Sequence, residues 1–281
     1  MTTTLRPSGP LQQDDRGSRS RTYDVCVNSR RVGSVELGTH PALGPTVGVL
    51  RSLAIDSGDR RRGRGTVAAL AAEEVLRDWG CTRVSTSVPT EATAVARLVA
   101  ALGYTEESRH MIKELTGASL PEPTAGAEGR PMGEAEFLDW SAAELEGYTQ
   151  TLVGQGVPPE QASARAAADQ RRLLPEGLAT PRTWIRTMEA EGAVVGHLWV
   201  AEREVRPGRQ GAYVYAVEVA EPYRGRGHGR ALMLLAERIA RSEAGADLLG
   251  LRVRAGATPA LRLYESLGYR VTHIEVGKQL L

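Results

Sequence analysis

The chain of 281 residues is poor in lysine and in cysteine. Only Lys113 and Lys278 carry an ammonium group; every other strongly basic side chain is an arginine, a skew that reads as compositional bias rather than function. Two cysteines, Cys26 and Cys81, cannot build a disulfide framework. Both lie in apolar runs, where buried free thiols of a reducing compartment are expected. Net charge is also scarce: 35 Lys and Arg against 34 Asp and Glu leave +1. That argues against a general polyanion such as nucleic acid as partner, and the basic run Asp59–Arg64 is too short and isolated to change this. No apolar run reaches membrane-spanning length, and the N-terminus lacks a signal-type apolar core. The expectation is a cytoplasmic protein with no membrane partner. No His/Cys/Asp cluster has metal-ligand spacing, so no metal is expected.

What is present is enough apolar residue, 41%, to build cores, and a length that makes two domains the natural expectation. One stretch organises the rest. Ala212–Val219 alternates small or apolar residues with β-branched ones and reads as a buried strand. Ala220–Tyr223 follows, then Arg224-Gly225-Arg226-Gly227-His228-Gly229, then a helix start from Arg230 with apolar residues at helical spacing. Glycines let backbone N–H groups converge, and a helix N-terminus adds unsatisfied donors and partial positive charge. Together they suit a pyrophosphate. A Walker loop would end in Gly-Lys-Ser/Thr, whereas Gly229 is followed by Arg230-Ala231. A dinucleotide fingerprint would need an acidic residue about 20 residues on; Asp247 lies near that distance, but the next apolar run carries Arg252 and Arg254. The remaining pattern, Arg/Gln-x-x-Gly-x-Gly/Ala, is filled by Arg224, Gly227 and Gly229.

This pattern resembles the coenzyme A loop of the GNAT superfamily of N-acetyltransferases. The halves of the chain also repeat. Val32-Gly33 recurs as Val195-Gly196, 163 residues on (33 to 196); Arg60, Gly63 and Gly65 recur as Arg224, Gly227 and Gly229, 164 on (60 to 224); Leu102-Gly103-Tyr104 recurs as Leu267-Gly268-Tyr269, 165 on (103 to 268). The layout is similar to a tandem GNAT protein, as also found in mycothiol synthases. The expected fold is α/β (α+β), two tandem domains, each a mixed, mostly antiparallel sheet with helices on both faces and two splayed central parallel strands. The expected boundaries are 1–115, a linker over 116–130, and 131–281. The first domain is expected to lack the two early helices, because only polar, Pro- and Gly-broken chain separates Arg6 from Tyr23. A strand is expected over Gly133–Trp140, with a helix from Ala142 capped by Ser141.

The resemblance implies acetyl-CoA as cofactor and an amine of a small molecule or a protein N-terminus as acceptor. It implies that Val217 and Val219 offer backbone groups to the pantetheine arm. The pyrophosphate would rest on backbone amides of Arg226, Gly227, Gly229 and Arg230, with Arg224 and Arg226 adding charge. Arg60, Gly63 and Gly65 mark a possible second cofactor site. Tyr264 matches the family's tyrosine that protonates the departing thiolate. The base is open: Tyr215 stands where many members carry Glu, so Glu218, with Glu221 just beyond it, or a water chain is left for the role. Ala257 stands where the family often has Asn. Tyr148, Gln155, Asp169, His197, Trp199 and Tyr215 are candidates for acceptor recognition. A non-catalytic acyl-CoA-binding regulator, or a pseudo-enzyme whose halves only associate, are the alternatives.

Overall fold

The computed structural model describes residues 3–14, 17–117 and 127–280. In chain order these form β1 (Thr3–Pro7), β2 (Gln12–Gln13), β3 (Arg19–Val27), β4 (Arg30–His40), β5 (Gly44–Ile55), α1 (Arg64–Asp78), β6 (Arg83–Pro89), α2 (Thr93–Ala101), β7 (Thr105–Glu114) and β8 (Ala127–Pro131). Then follow α3 (Glu134–Gly154), α4 (Pro159–Leu173), β9 (Thr183–Ala190), β10 (Ala193–Arg206), β11 (Arg209–Val219), α5 (His228–Arg238), β12 (Leu248–Arg254), α6 (Thr258–Ser266) and β13 (Arg270–Gln279). They divide into two compact units. One comprises Met1–Glu107, Gln150–Ala162 and His273–Leu281; the other comprises Ser108–Thr149 and Ser163–Thr272.

In the first unit the strands run β1-β3-β4-β5-β6-β13, with β2 on β3. Only β5 and β6 are parallel, over Val47↔Arg83 to Val49↔Ser85. Its core joins Val25, Val32, Val35 and Leu37 of the sheet to Ala68, Ala72 and Leu76. Those three lie at i, i+4 and i+8, one stripe of α1. Val99 and Leu102, in and just after α2, pack against the same core. No helix precedes β3 among the described residues, in line with the short polar segment there.

In the second unit the order is β7-β12-β11-β10-β9-β8, with β11 and β12 its only parallel pair. Helix α5 is apolar nearly all round: Ala231 through Ala236 are all buried. A helix of that kind belongs inside a core, and it joins Val214, Leu249, Leu251 and Tyr264 there. A second, aromatic cluster of Trp140, Trp199 and Ile185, with Phe137 and Tyr215 against it, packs around α3.

The packing units differ from the sequence halves in the segment Gln150–Ala162 and in two strands. β7, which ends the first half, pairs with β12 through Ser108–Glu114. β13, which ends the second, pairs with β6 through His273–Gln279. These strands carry the chain's only two lysines. Lys113 Nζ donates to both carboxylate oxygens of Glu237 at 2.7 Å. Lys278 Nζ donates to Glu73 Oε2 at 2.8 Å. Glu237 is 0% exposed and Glu73 1%. Each ammonium also lies 5.7 Å from a tyrosine ring, Tyr269 and Tyr104 respectively. The scarcity of lysine therefore has structural content: the two that occur neutralise the two buried carboxylates of α5 and α1. Burial raises both phenols above their usual range, and the adjacent glutamate charge adds to it.

Other expectations change at the termini of elements. Gly133–Trp140 is not a strand: α3 begins at Glu134, where Glu136 Oε2 accepts the Gly133 N–H at 2.9 Å, the reach-back that starts a helix, and it runs on through Ser141. Ala127–Pro131, expected as linker, is an edge strand on β9; residues 118–126 of that linker lie outside the described residues. The polar chain between Arg6 and Tyr23 holds β2 and the start of β3.

Removing one partner of a buried ion pair strands the other charge. Lys113→Met should therefore cost about 3–5 kcal/mol of stability. Lys113→Met/Glu237→Met should regain most of it, read by urea denaturation. Equal stability of wild type and Lys113→Met would refute the neutralising role.

Candidate active site

The site begins where a ladder ends. β11 and β12 are in register only over Ala212↔Leu249, Tyr213↔Gly250 and Val214↔Leu251. β11 continues to Val219 and β12 to Arg254 with no further pairing between them. Next to that point β11 is bulged. Trp199 pairs with Ala216 and Val200 with Val214, so Tyr215 is the extra residue. The bulge changes which residues face which side. Ala212 and Val214, then Val217 and Val219, all pack toward the α5 core. Tyr215 and Ala216 pack toward the α3 aromatics, and strand alternation puts Glu218 on that side as well. The first unit has the same bulge at Arg51, between Leu50 and Ser52.

Between β11 and α5 the backbone turns through two left-handed glycines, Gly225 at φ +77° and Gly227 at φ +89°. A Cβ on either would meet nothing within 4 Å, so the space before the loop is open. Helix α5 starts at His228 with its first amides unpaired by the helix itself. Gly229, expected as a cofactor contact, is inside that first turn; a Cβ there would come within 3.3 Å of Leu263 Cδ2. Two of the expected cofactor contacts also bond within the loop. Arg224 Nε donates to the Val219 carbonyl at 3.0 Å, and the Arg230 N–H donates to Gly227 O at 3.0 Å. Arg224 thus braces the loop against the strand end, as Arg60 does through Ile55 O at 2.7 Å. The Arg226 guanidinium lies 5.7 Å from the Tyr223 ring.

Tyr264, on α6, is 6% exposed and joins the α5 core, edge-on to Tyr269 at 6.0 Å. Burial raises its phenol above the usual value, so it stays protonated at neutral pH. On the opposite face of β11, Glu218 stands directly across from His197. Burial lowers the His197 imidazole, opposed by the charges of Glu218 and Glu136. Arg130 bonds both Glu136 and Glu189, and its bond holds Glu136 down at about 2. Of the other acceptor-side candidates, Trp199 and Tyr215 stack at 4.7 Å, and Tyr148 Oη donates to Asp169 Oδ2 at 3.1 Å. Gln155 belongs to the other packing unit. The sequence reading placed Trp140 at the end of a strand and Glu144 at a helix cap; α3 runs through both, and helical spacing from Glu136 puts them on one face.

The family model of the acetyltransferase (GNAT) family matches residues 3–104 and 145–269. The chain belongs to the GNAT acetyltransferase family. It is an acetyl-transferring enzyme with the tandem layout. It is 32% identical over 152 residues to the uncharacterised N-acetyltransferase YycN of Bacillus subtilis, covering 53% of this chain and 96% of that one. It is 30% identical over 223 residues to a mycothiol acetyltransferase of Thermobispora bispora, covering 76% and 71%. In fold it is similar to a tandem GNAT protein from the clavulanic acid biosynthesis pathway, at TM-score 0.53 and 18% identity, over 96% of this chain and 85% of that one. GNAT members use acetyl-CoA. The open splay, the two αL glycines and the unobstructed space before them fit that group. No helix among the described residues is long and apolar enough to cross a membrane.

Gly227→Glu should lower acetyl-CoA affinity more than tenfold by calorimetry, whereas Gly227→Ala, which adds only backbone strain at φ +89°, should lower it less. Equal affinity of a folded Gly227→Glu and wild type would sink the loop assignment.

Proposed function

We propose that the enzyme moves an acetyl group from acetyl-CoA to a primary amine of a small molecule or a protein N-terminus, and that the transfer takes place in the second unit. The observation that carries this reading is the stretch of β11 beyond Val214 that no longer pairs with β12, with a buried phenol on one face and a carboxylate on the other. Acetyl-CoA, when bound, supplies the acetyl group as a thioester. The backbone amides around Gly227 and the first turn of α5 hold negative charge, and Arg226 adds to it. Tyr264 holds a proton on its phenol oxygen and gives it to the leaving sulfur. Glu218 takes a proton from the amine on the other face. The relatives named N-acetyltransferase and mycothiol acetyltransferase support an amine acceptor.

The first unit, on this reading, does no chemistry. Val99 stands at the place of Tyr264 (99 to 264) and Ala54 at that of Glu218 (54 to 218); neither holds a transferable proton. Thr86 Oγ1 also donates to the Leu50 carbonyl at 2.7 Å, bridging its two parallel strands just past their last pair. Arg60, Gly63 and Gly65 remain as a candidate second cofactor loop. Gly63 keeps the left-handed φ, +71°, and Arg61 takes +58° where the second unit has Gly225.

Tyr264→Phe should lower kcat by about 10–10³-fold and leave acetyl-CoA affinity close to wild type. Any alkaline limb of the wild-type kcat profile that belongs to Tyr264 should lie above about pH 10, because its phenol is raised, and should be missing in the variant. A kcat within twofold of wild type would remove Tyr264 from the acid role. Turnover should also survive Gly63→Glu and vanish in Gly227→Glu; the reverse pattern would assign the chemistry to the first unit.

A further inference from the structure

The α3 side of the site carries a residue that no part of the reading above uses. Glu136, Trp140 and Glu144 lie at i, i+4 and i+8 and so share one face of α3. Trp140 fixes where that face sits: its ring meets Trp199 edge-on at 5.8 Å. Trp199 is paired with Ala216, and two residues further along both strands His197 is paired with Glu218 on the same side of the sheet. Glu136 acts electrostatically on His197 at one end, and Glu144 lies within electrostatic reach of Glu218 at the other. A separate observation on the same face points to a ligand. The indole Nε1 atoms of Trp140 and Trp199 are both buried donors with no acceptor, in residues only 5% and 7% exposed. Such a donor costs stability until something accepts from it.

From this geometry we propose that Glu144 pairs with Glu218 to receive the ammonium of the acceptor, and that the site selects a primary amine with a hydrogen-bond acceptor next to it. The inference rests on the proposed acetyl transfer in the second unit and adds its substrate class. Two nearby carboxylates repel, and a cation between them removes that repulsion. The indole donors are met by a carbonyl or hydroxyl oxygen beside the amine, as in an aminoacyl amide or an amino sugar. The ammonium stays charged while it bridges the two carboxylates; as the nitrogen attacks, one proton passes to Glu218, R–NH3⁺ and –COO⁻ becoming R–NH2 and –COOH, and the second N–H proton of the adduct replaces, through solvent, the one Tyr264 gives to sulfur. Among the charged and titratable groups of the packed elements, Glu218 on β11 acts on Glu144; Tyr148, one turn further along α3, bonds Asp169 and lies near Arg165 of α4 and Arg252 of β12; and His197 on β10 lies near Glu218, Glu136 and Arg130.

Burial, and after it the Glu218 charge, raise the Glu144 carboxyl. That supplies a readout independent of turnover. In the full chain labelled with [5-¹³C]glutamate, the resonance lost in Glu144→Gln should titrate above the usual carboxylate value of about 4.3. Glu218→Gln should lower its midpoint, and so should saturating L-alaninamide, by the sign of the argument: both remove repulsion from the ionised form. sec-Butylamine, which has no oxygen beside its nitrogen, should need at least tenfold higher concentration for the same shift. A Glu144 midpoint indifferent to Glu218→Gln, or to L-alaninamide, would overturn the pair. Equal response to both amines would overturn the selectivity. Loss of acetyl transfer with these responses intact would instead count against the proposed function alone.

Discussion

Everything at the site hangs on two buried carboxylates that the chain cannot leave alone. Glu73 and Glu237 sit at matching places on α1 and α5, the helices that begin at the glycine loops. An ionised carboxylate without solvent or partner is among the most unfavourable things a core can hold. Each is met by a lysine from a strand that the opposite half of the sequence supplies. The ion pair, the tyrosine ring beside the ammonium and the strand pairing act on the same spot. The helix that starts at the glycine loop is thereby tied to a sheet completed from far away in the chain. A unit built that way is not a continuous piece of sequence, and cutting the chain at 130 would leave Glu237 without Lys113.

The same economy is visible at the loop. A Cβ on Gly196 would lie 2.2 Å from the Glu218 carbonyl, and one on Gly33 equally close to that of Ala54. The Val-Gly anchor of each half is thus a steric need of the strand pair leading into the loop. The bulges at Tyr215 and Arg51 recur at the same spacing as the glycines. What differs between the units is chemistry. The first has a valine and an alanine where the second has a phenol and a carboxylate.

Much of this was legible in the sequence. The glycine loops and the repeat follow from residue types at fixed separations; the splayed parallel pair and the place of Tyr264 come from the family resemblance alone. Three things were not legible. The lysines looked like compositional residue because their carboxylate partners are 124 and 205 residues away, and no local pattern links them. The start of α3 was misread because Gly133–Trp140 mixes glycine, acids and aromatics with no clear period, although the local bond from Gly133 N–H to Glu136 marks where the helix starts. The bonds that Arg224 and Arg230 make within the loop were not legible either, because the motif names residue types, not which donors the loop spends on itself.

The central claim is that the second unit holds the acyl donor at the loop that opens α5. Hydrogen exchange read by mass spectrometry, with and without acetyl-CoA, tests it most directly. The account predicts slowed exchange in peptides spanning Tyr215 to Leu235 on addition of acetyl-CoA. Protection confined to peptides spanning Arg60 to Val75, with the second loop unchanged, would contradict it.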